Sequence, residues 1–201
     1  MITMIIGVLL AALFDFILFK MNLVNFWWGM AGACAILALL AIVRASLDGR
    51  HVFAFRLRYL LWGVFSALLL YFIFWTASLL MTGYSPALKG QIVSLYSLKQ
   101  QLAEWKIAAL LFFVIAPGEE IFWRGMVQRL AETNFGAISG WIIAAILYGA
   151  VHLWSGNLLL SAAAVVAGLY WGYLYRRFGT LWPGIVSHAI WSLLIFILYP
   201  I

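Results

Sequence analysis

Residues 117–124 read Pro117-Gly118-Glu119-Glu120-Ile121-Phe122-Trp123-Arg124. They follow an apolar run, residues 107–116, that reads as the first part of a membrane-spanning helix. Charges at bilayer depth are costly and usually mark function. The chain has only six acidic residues, so two side by side in this setting are not solvated surface. Proline removes a backbone donor and crowds the preceding turn, which predicts a kink just before the glutamates.

Composition sets the class around that stretch. With 67% hydrophobic, 17% aromatic and 9% charged residues in 201, there is too little polar surface to cover a water-soluble globule. Several apolar runs are long enough to cross a bilayer. The expectation is an all-α, polytopic transmembrane helix bundle of about seven spans, near residues 2–19, 26–43, 59–80, 105–129, 137–153, 158–175 and 181–198. The fourth is carried past Pro117-Gly118 because the next turn signals, Thr133-Asn134 and Gly136, come later.

The first span lacks a basic leader and a small-residue cleavage site, so it reads as a retained helix. Asp15 within it is read as a lone acid reaching the interface from near a helix end. Residues 81–104 form the only long polar stretch. Gly83, Pro86 and Gly90 break it early, and residues 91–104 suit a short amphipathic helix lying on the outer surface as a connector. The single cysteine, Cys34, excludes a disulfide framework and a cysteine metal cluster. The net charge of +6, spread over short loops, suits contact with anionic lipid, and no nucleic-acid partner is expected. Oligomeric state is not legible.

Charge placement orients the chain. All eight arginines (Arg44, Arg50, Arg56, Arg58, Arg124, Arg129, Arg176 and Arg177) fall at or toward one side of a seven-span arrangement, and Lys20, Lys89, Lys99 and Lys106 at the other. The positive-inside rule then places the N-terminus and the Arg44 to Arg58 loop, with Asp48 and His51, in the cytoplasm. At about 1.5 Å per residue, Glu119, His152 and His188 lie roughly 15, 18 and 12 Å from the cytoplasmic ends of their helices. Three distant segments thus deliver a carboxylate and two imidazoles to similar depth, in a site opening toward the cytoplasm.

Spacing separates the two glutamates. Glu120 and Arg124 stand at i and i+4 with the acid first, the better order for an ion pair, so Glu120 reads as the structural or orienting member. Glu119 points about 100° away and has no partner within its own helix, which makes it the candidate general base. Tyr148 with His152, and His188 with Ser192, are further i, i+4 pairs, each supplying an imidazole and a hydroxyl to one face. Two histidines and a carboxylate are also a familiar catalytic zinc set, so Glu119, His152 and His188 are the ligands of a metal alternative. No His-Glu-x-x-His or other local metal spacing is present, and no cofactor is favoured.

The set Glu119-Glu120-x-x-x-Arg124, Tyr148-x-x-x-His152 and His188 with a polar residue four later resembles the CPBP family of intramembrane proteases, which comprises type II CAAX prenyl endopeptidases and bacteriocin-processing or self-immunity proteins. The resemblance takes in Gly168-x-x-x-Gly172 and Leu181-Trp182-Pro183-Gly184 and covers about residues 107–198. It implies a division into residues 1–106, N-terminal transmembrane helices and an outer loop, and residues 107–201, a CPBP-type catalytic helical core. Two positions depart from the family pattern: Tyr148 where an aromatic such as Phe is usual, and Ser192 where Asn or Asp is usual.

The function this implies is intramembrane peptide-bond hydrolysis. Glu119, helped by His152, activates a water, and His188 with Ser192 stabilises the oxyanion, while Glu120, Arg124 and Tyr148 support them. The family has been described both as glutamic-type and as metalloprotease. The expected partners are the lipid bilayer and a peptide or membrane-anchored protein substrate. Compactness suggests a bacterial cell membrane, where prenylated substrates are not expected. Two other classes stand beside this: a non-catalytic immunity or scaffold protein on the same fold, and a proton- or ion-coupled transporter. Against the transporter, the polar residues cluster at one depth and no inverted repeat is evident.

Overall fold

The computed structural model describes residues 1–47, 52–82 and 85–201. Asp48, Arg50 and His51 of the basic loop, and Gly83, lie outside the described residues. The described regular structure is entirely helical. We number α1 (Ile2–Met21), α2 (Phe26–Leu47), α3 (Leu57–Thr82), α4 (Pro86–Tyr96), α5 (residues 104–135), α6 (Ala137–Val151), α7 (Leu158–Phe178) and α8 (Trp182–Leu198). Five of these, α1, α2, α3, α6 and α7, are long and apolar enough to cross a membrane. Helix α8 is apolar but shorter, and α5 carries the two glutamates in its middle. Leu9, Leu39, Leu61, Phe72 and Phe113 face outward, a display of apolar surface that suits lipid rather than water.

Helix α5 runs through its proline by changing its winding. Leu111–Ile115 is π-helical, Ala116–Phe122 is α-helical and carries Glu119 and Glu120, and Trp123–Gln128 is π-helical again. A wider turn ahead of Pro117 accommodates the ring and the missing N–H, and such turns recur beside functional sites. Thr133 and Asn134 do not break the helix as turn residues: their side chains bond back to the carbonyls of Arg129 and Leu130 at 2.9 and 2.7 Å. Gly136, at φ 86°, ends it.

The polar stretch before α5 also differs from expectation. Pro86 starts α4 rather than interrupting a segment, because the first turn of a helix has no use for the missing N–H, and Gly90 lies inside the helix. The stretch is more than a connector. Gln91 accepts from Leu159 N–H at 2.9 Å and from Asn157 Nδ2 at 2.8 Å through its backbone. Gln101 accepts from Phe26 N–H at 2.9 Å, and Tyr96 donates to the Ile195 carbonyl at 2.7 Å. These bonds tie the ends of α2, α7 and α8 together at the end of the bundle that carries Lys99, itself 2.6 Å from Glu104.

At the opposite end, Leu181 N–H and Thr180 Oγ1 donate to the Val52 carbonyl at 3.0 and 3.1 Å. Arg176 pairs there with Glu132 at 3.2 Å. Between the two ends, α3 packs along α8, α6 along α7, and α2 against the Ala116–Phe122 stretch. The principal core gathers Leu70, Phe122, Met126, Val127, Ala131, Tyr148 and Trp171 around the glutamates. Small residues permit this approach. A Cβ on Gly168 would sit 3.1 Å from Ala145 Cα, and one on Gly118 3.0 Å from the Cys34 carbonyl oxygen.

Candidate active site

Glu119 and Glu120 are both buried and serve different partners. Glu120 Oε1 lies 3.0 Å from Arg124 Nη1, one turn on. The Arg124 guanidinium stands over the rings of Tyr148 and Trp171 at 4.9 and 5.5 Å. An arginine this deep needs both kinds of contact, since removing it from water costs several kcal/mol (~3–5) unless charge and π-face replace hydration.

His188 joins the two carboxylates. Its Nδ1 lies 3.0 Å from Glu120 Oε1 and its Nε2 3.6 Å from Glu119 Oε2. A carboxylate already facing Arg124 can only accept, so Nδ1 carries the proton there. The ring stacks on Trp171 at 3.8 Å and 18°. Trp171 Nε1 donates to Ser187 Oγ at 3.1 Å, and Ser66 Oγ of α3 donates to the same oxygen at 2.8 Å. His188 is thus fixed at one edge by Glu120 and on one face by an indole that is itself anchored. Gly184 makes room for this, because a Cβ there would lie 2.9 Å from Glu120 Oε2.

Tyr148 of α6 donates its hydroxyl to Glu119 Oε2 at 2.6 Å. One turn later, His152 opens the 3₁₀ turn His152–Ser155, and its Nδ1 lies 2.8 Å from the Tyr148 carbonyl oxygen. A carbonyl only accepts, so Nδ1 bears hydrogen and the neutral ring keeps Nε2 as an acceptor. His188 thus stands against Glu119, and Nδ1 of each imidazole carries a hydrogen.

A cavity of about 20 Å³ adjoins Glu119, room for about one water. Glu119 and His152 line it, together with Asp15, Cys34, Gly118 and Trp123. Asp15 corrects the sequence reading. It is buried, not interfacial, and its Oδ2 stands 3.9 Å from His152 Nδ1 without a hydrogen-bond partner among the described residues. Helix α1 packs across α6 and the His152–Ser155 turn, which brings an N-terminal acid to the site. Hydropathy alone cannot reveal this, because which face of an apolar helix turns inward is set by its neighbours.

Trp171, Ser187 and Ser66 were also missed as supports of His188. The Gly168-x-x-x-Gly172 stripe that frames Trp171 was the available signal. Ser192 is buried one turn beyond His188, but no described side-chain hydrogen bond joins the two. Trp123 lines the cavity, and Trp191 packs against Trp171 at 5.6 Å. Among the described residues, no three His, Cys, Asp or Glu side chains converge as a metal ion requires. His188 Nδ1 lies on Glu120 and His152 Nδ1 on a carbonyl, which leaves Nε2 of each ring without a described hydrogen bond.

Residues 101–194, which hold Glu119, Glu120, Arg124, Tyr148, His152 and His188, match the protein family described as Rce1-like, type II CAAX prenyl endopeptidase Rce1-like. Neither the comparison with curated proteins nor that with solved structures gives a match. The buried His–Glu pairs between α5 and α8, the His–Asp pair between the His152–Ser155 turn and α1, and the family model point the same way: residues 101–194 of this membrane-embedded chain match the Rce1-like CPBP protease domain.

Proposed function

We propose that the protein is an intramembrane endopeptidase of the glutamic type. The observation that carries this reading is Glu119, a buried carboxylate between Tyr148 and His188 and beside a cavity of single-water size shared with His152. Glu119 takes a proton from the water while the oxygen attacks the scissile carbonyl carbon. His152, whose acceptor Nε2 is free of the Tyr148 carbonyl, shares that proton. The tetrahedral oxyanion accepts a hydrogen bond from Nε2–H of His188 in its imidazolium form, whose Nδ1–H stays on Glu120, with Ser192 nearby, and Glu119 returns the proton to the amide nitrogen as the C–N bond breaks. Glu120 and Arg124 hold His188 in place, and Asp15 orients His152 from α1.

In this reading α5 and α8 also cross the membrane, giving seven spans with the N-terminus and the arginine-bearing end on the cytoplasmic side. Residues 1–106 act as a supporting unit and residues 107–201 as the catalytic core. The substrate is a membrane-associated peptide or protein.

The test compares the termini of membrane proteins in cells carrying the wild-type chain, Glu119→Gln and Glu120→Gln at matched expression. New termini present with wild type and lost with Glu119→Gln establish the protease and name its substrate. Identical termini in all three strains, with a persisting phenotype, would replace catalysis by an immunity or scaffold role.

A further inference from the structure

Arg58 in the first turn of α3 and Arg177 in the last turn of α7 line a groove of about 190 Å³ with Trp62 and Phe178. The groove lies at the arginine-bearing end of the bundle, remote from the glutamates. Its aromatic wall is built: the Trp62 and Phe178 rings are 5.7 Å apart, and Tyr59 meets Phe178 edge-on at 5.9 Å. Each guanidinium stands by a ring of that wall, Arg58 at 5.3 Å over Tyr59 and Arg177 at 5.7 Å over Phe178. The neighbouring arginine, Arg176, is committed to Glu132. Arg58 and Arg177 have no carboxylate partner among the described residues.

Two exposed guanidiniums facing one groove present planar, bidentate donors that match phosphate oxygens. The amide end of α3, a helix of 26 residues, adds positive potential beside Arg58. Trp62, an exposed indole one turn inside the helix, suits the level where acyl chains meet headgroups. A groove that is cationic at its mouth and aromatic along its wall fits an amphiphile better than a free ion.

We propose that this groove is a binding site for the phosphate headgroup of an anionic phospholipid, seated between α3 and α7. Bound there, the lipid bridges the two helices that supply Ser66 and Trp171 to the support of His188. The site does not depend on the protease reading.

The experiment titrates the purified full-length chain, in uncharged maltoside micelles, with short-chain phosphatidylglycerol. Phosphatidylcholine and inorganic phosphate are titrated in parallel, with binding read by calorimetry. Phosphatidylglycerol is expected to bind saturably, one per chain, and more tightly than either control. Arg58→Gln and Arg177→Gln should each weaken it about tenfold. Arg56→Gln, which removes the same charge nearby but outside the groove, should change it less than about twofold. Unchanged melting temperatures would show that the variants are folded. Equal loss with Arg56→Gln would reduce the effect to diffuse surface charge. Equal affinity for phosphatidylcholine, or for inorganic phosphate, would also overturn the proposal.

Discussion

Tyr148 and Glu119, 29 positions apart in the chain, are joined by a 2.6 Å hydrogen bond from the phenol to the carboxylate. The position takes an aromatic in the resembling family, and here the ring carries a hydroxyl that reaches the candidate base. A hydrogen bond to a charged group contributes about 1.5–3 kcal/mol. Tyr148→Phe keeps the ring packing against Trp123 and Arg124, so the fold should persist. Turnover should fall roughly 10- to 100-fold with a smaller change in KM. Steady-state kinetics on the substrate identified by terminus profiling checks this.

Removing Arg124 acts differently. Arg124 and Glu120 are nearly inaccessible, at 2% and 1% side-chain exposure. Breaking a buried pair from one side leaves the other charge uncompensated, at a cost of about 3–5 kcal/mol. Arg124→Gln should therefore lower the melting temperature in detergent clearly more than Glu119→Gln does. Similar melting curves for the two variants would contradict the pair as the structural anchor of the site.

Asp15 offers the opposite sign. Its Oδ2 is buried and lacks a hydrogen bond among the described residues, with His152 Nδ1 at 3.9 Å. Burying such an oxygen opposes folding. Asp15→Leu is expected to raise the melting temperature while lowering cleavage, and Asp15→Asn to recover part of the cleavage by restoring a polar contact to His152. A variant that gains stability and keeps full activity would remove Asp15 from the site.

Two glycines should separate packing from propensity. A Cβ at Gly184 would lie 2.9 Å from Glu120 Oε2, whereas one at Gly32 would meet nothing within 4 Å. Gly184→Ala should cost about 1–3 kcal/mol by displacing a carboxylate held on two other sides. Gly32→Ala should be neutral or stabilise by up to about 1 kcal/mol, because α2 exchanges a flexible residue for a helix former. Paired thermal melts in one detergent decide both.

The sequence by itself determined the class, the helices and the pairings internal to one helix. Apolar run length identifies α1, α2, α3, α6 and α7, since spanning requires about 20 apolar residues. The i, i+4 spacing of Glu120 and Arg124 fixes their contact, because one helical turn brings them together whatever surrounds it. The motif spacing marked Glu119, His152 and His188 as residues to bring together. Only the tertiary structure decided what each atom faces. Nothing local tells that His188 bridges the two glutamates and stacks on Trp171, that Tyr148 reaches Glu119, or that Asp15 turns inward to His152. Those contacts join residues 17 to 137 positions apart. They depend on how neighbouring helices rotate and cross, and an apolar helix surrounded by lipid has no hydrophobic stripe to announce its inward face.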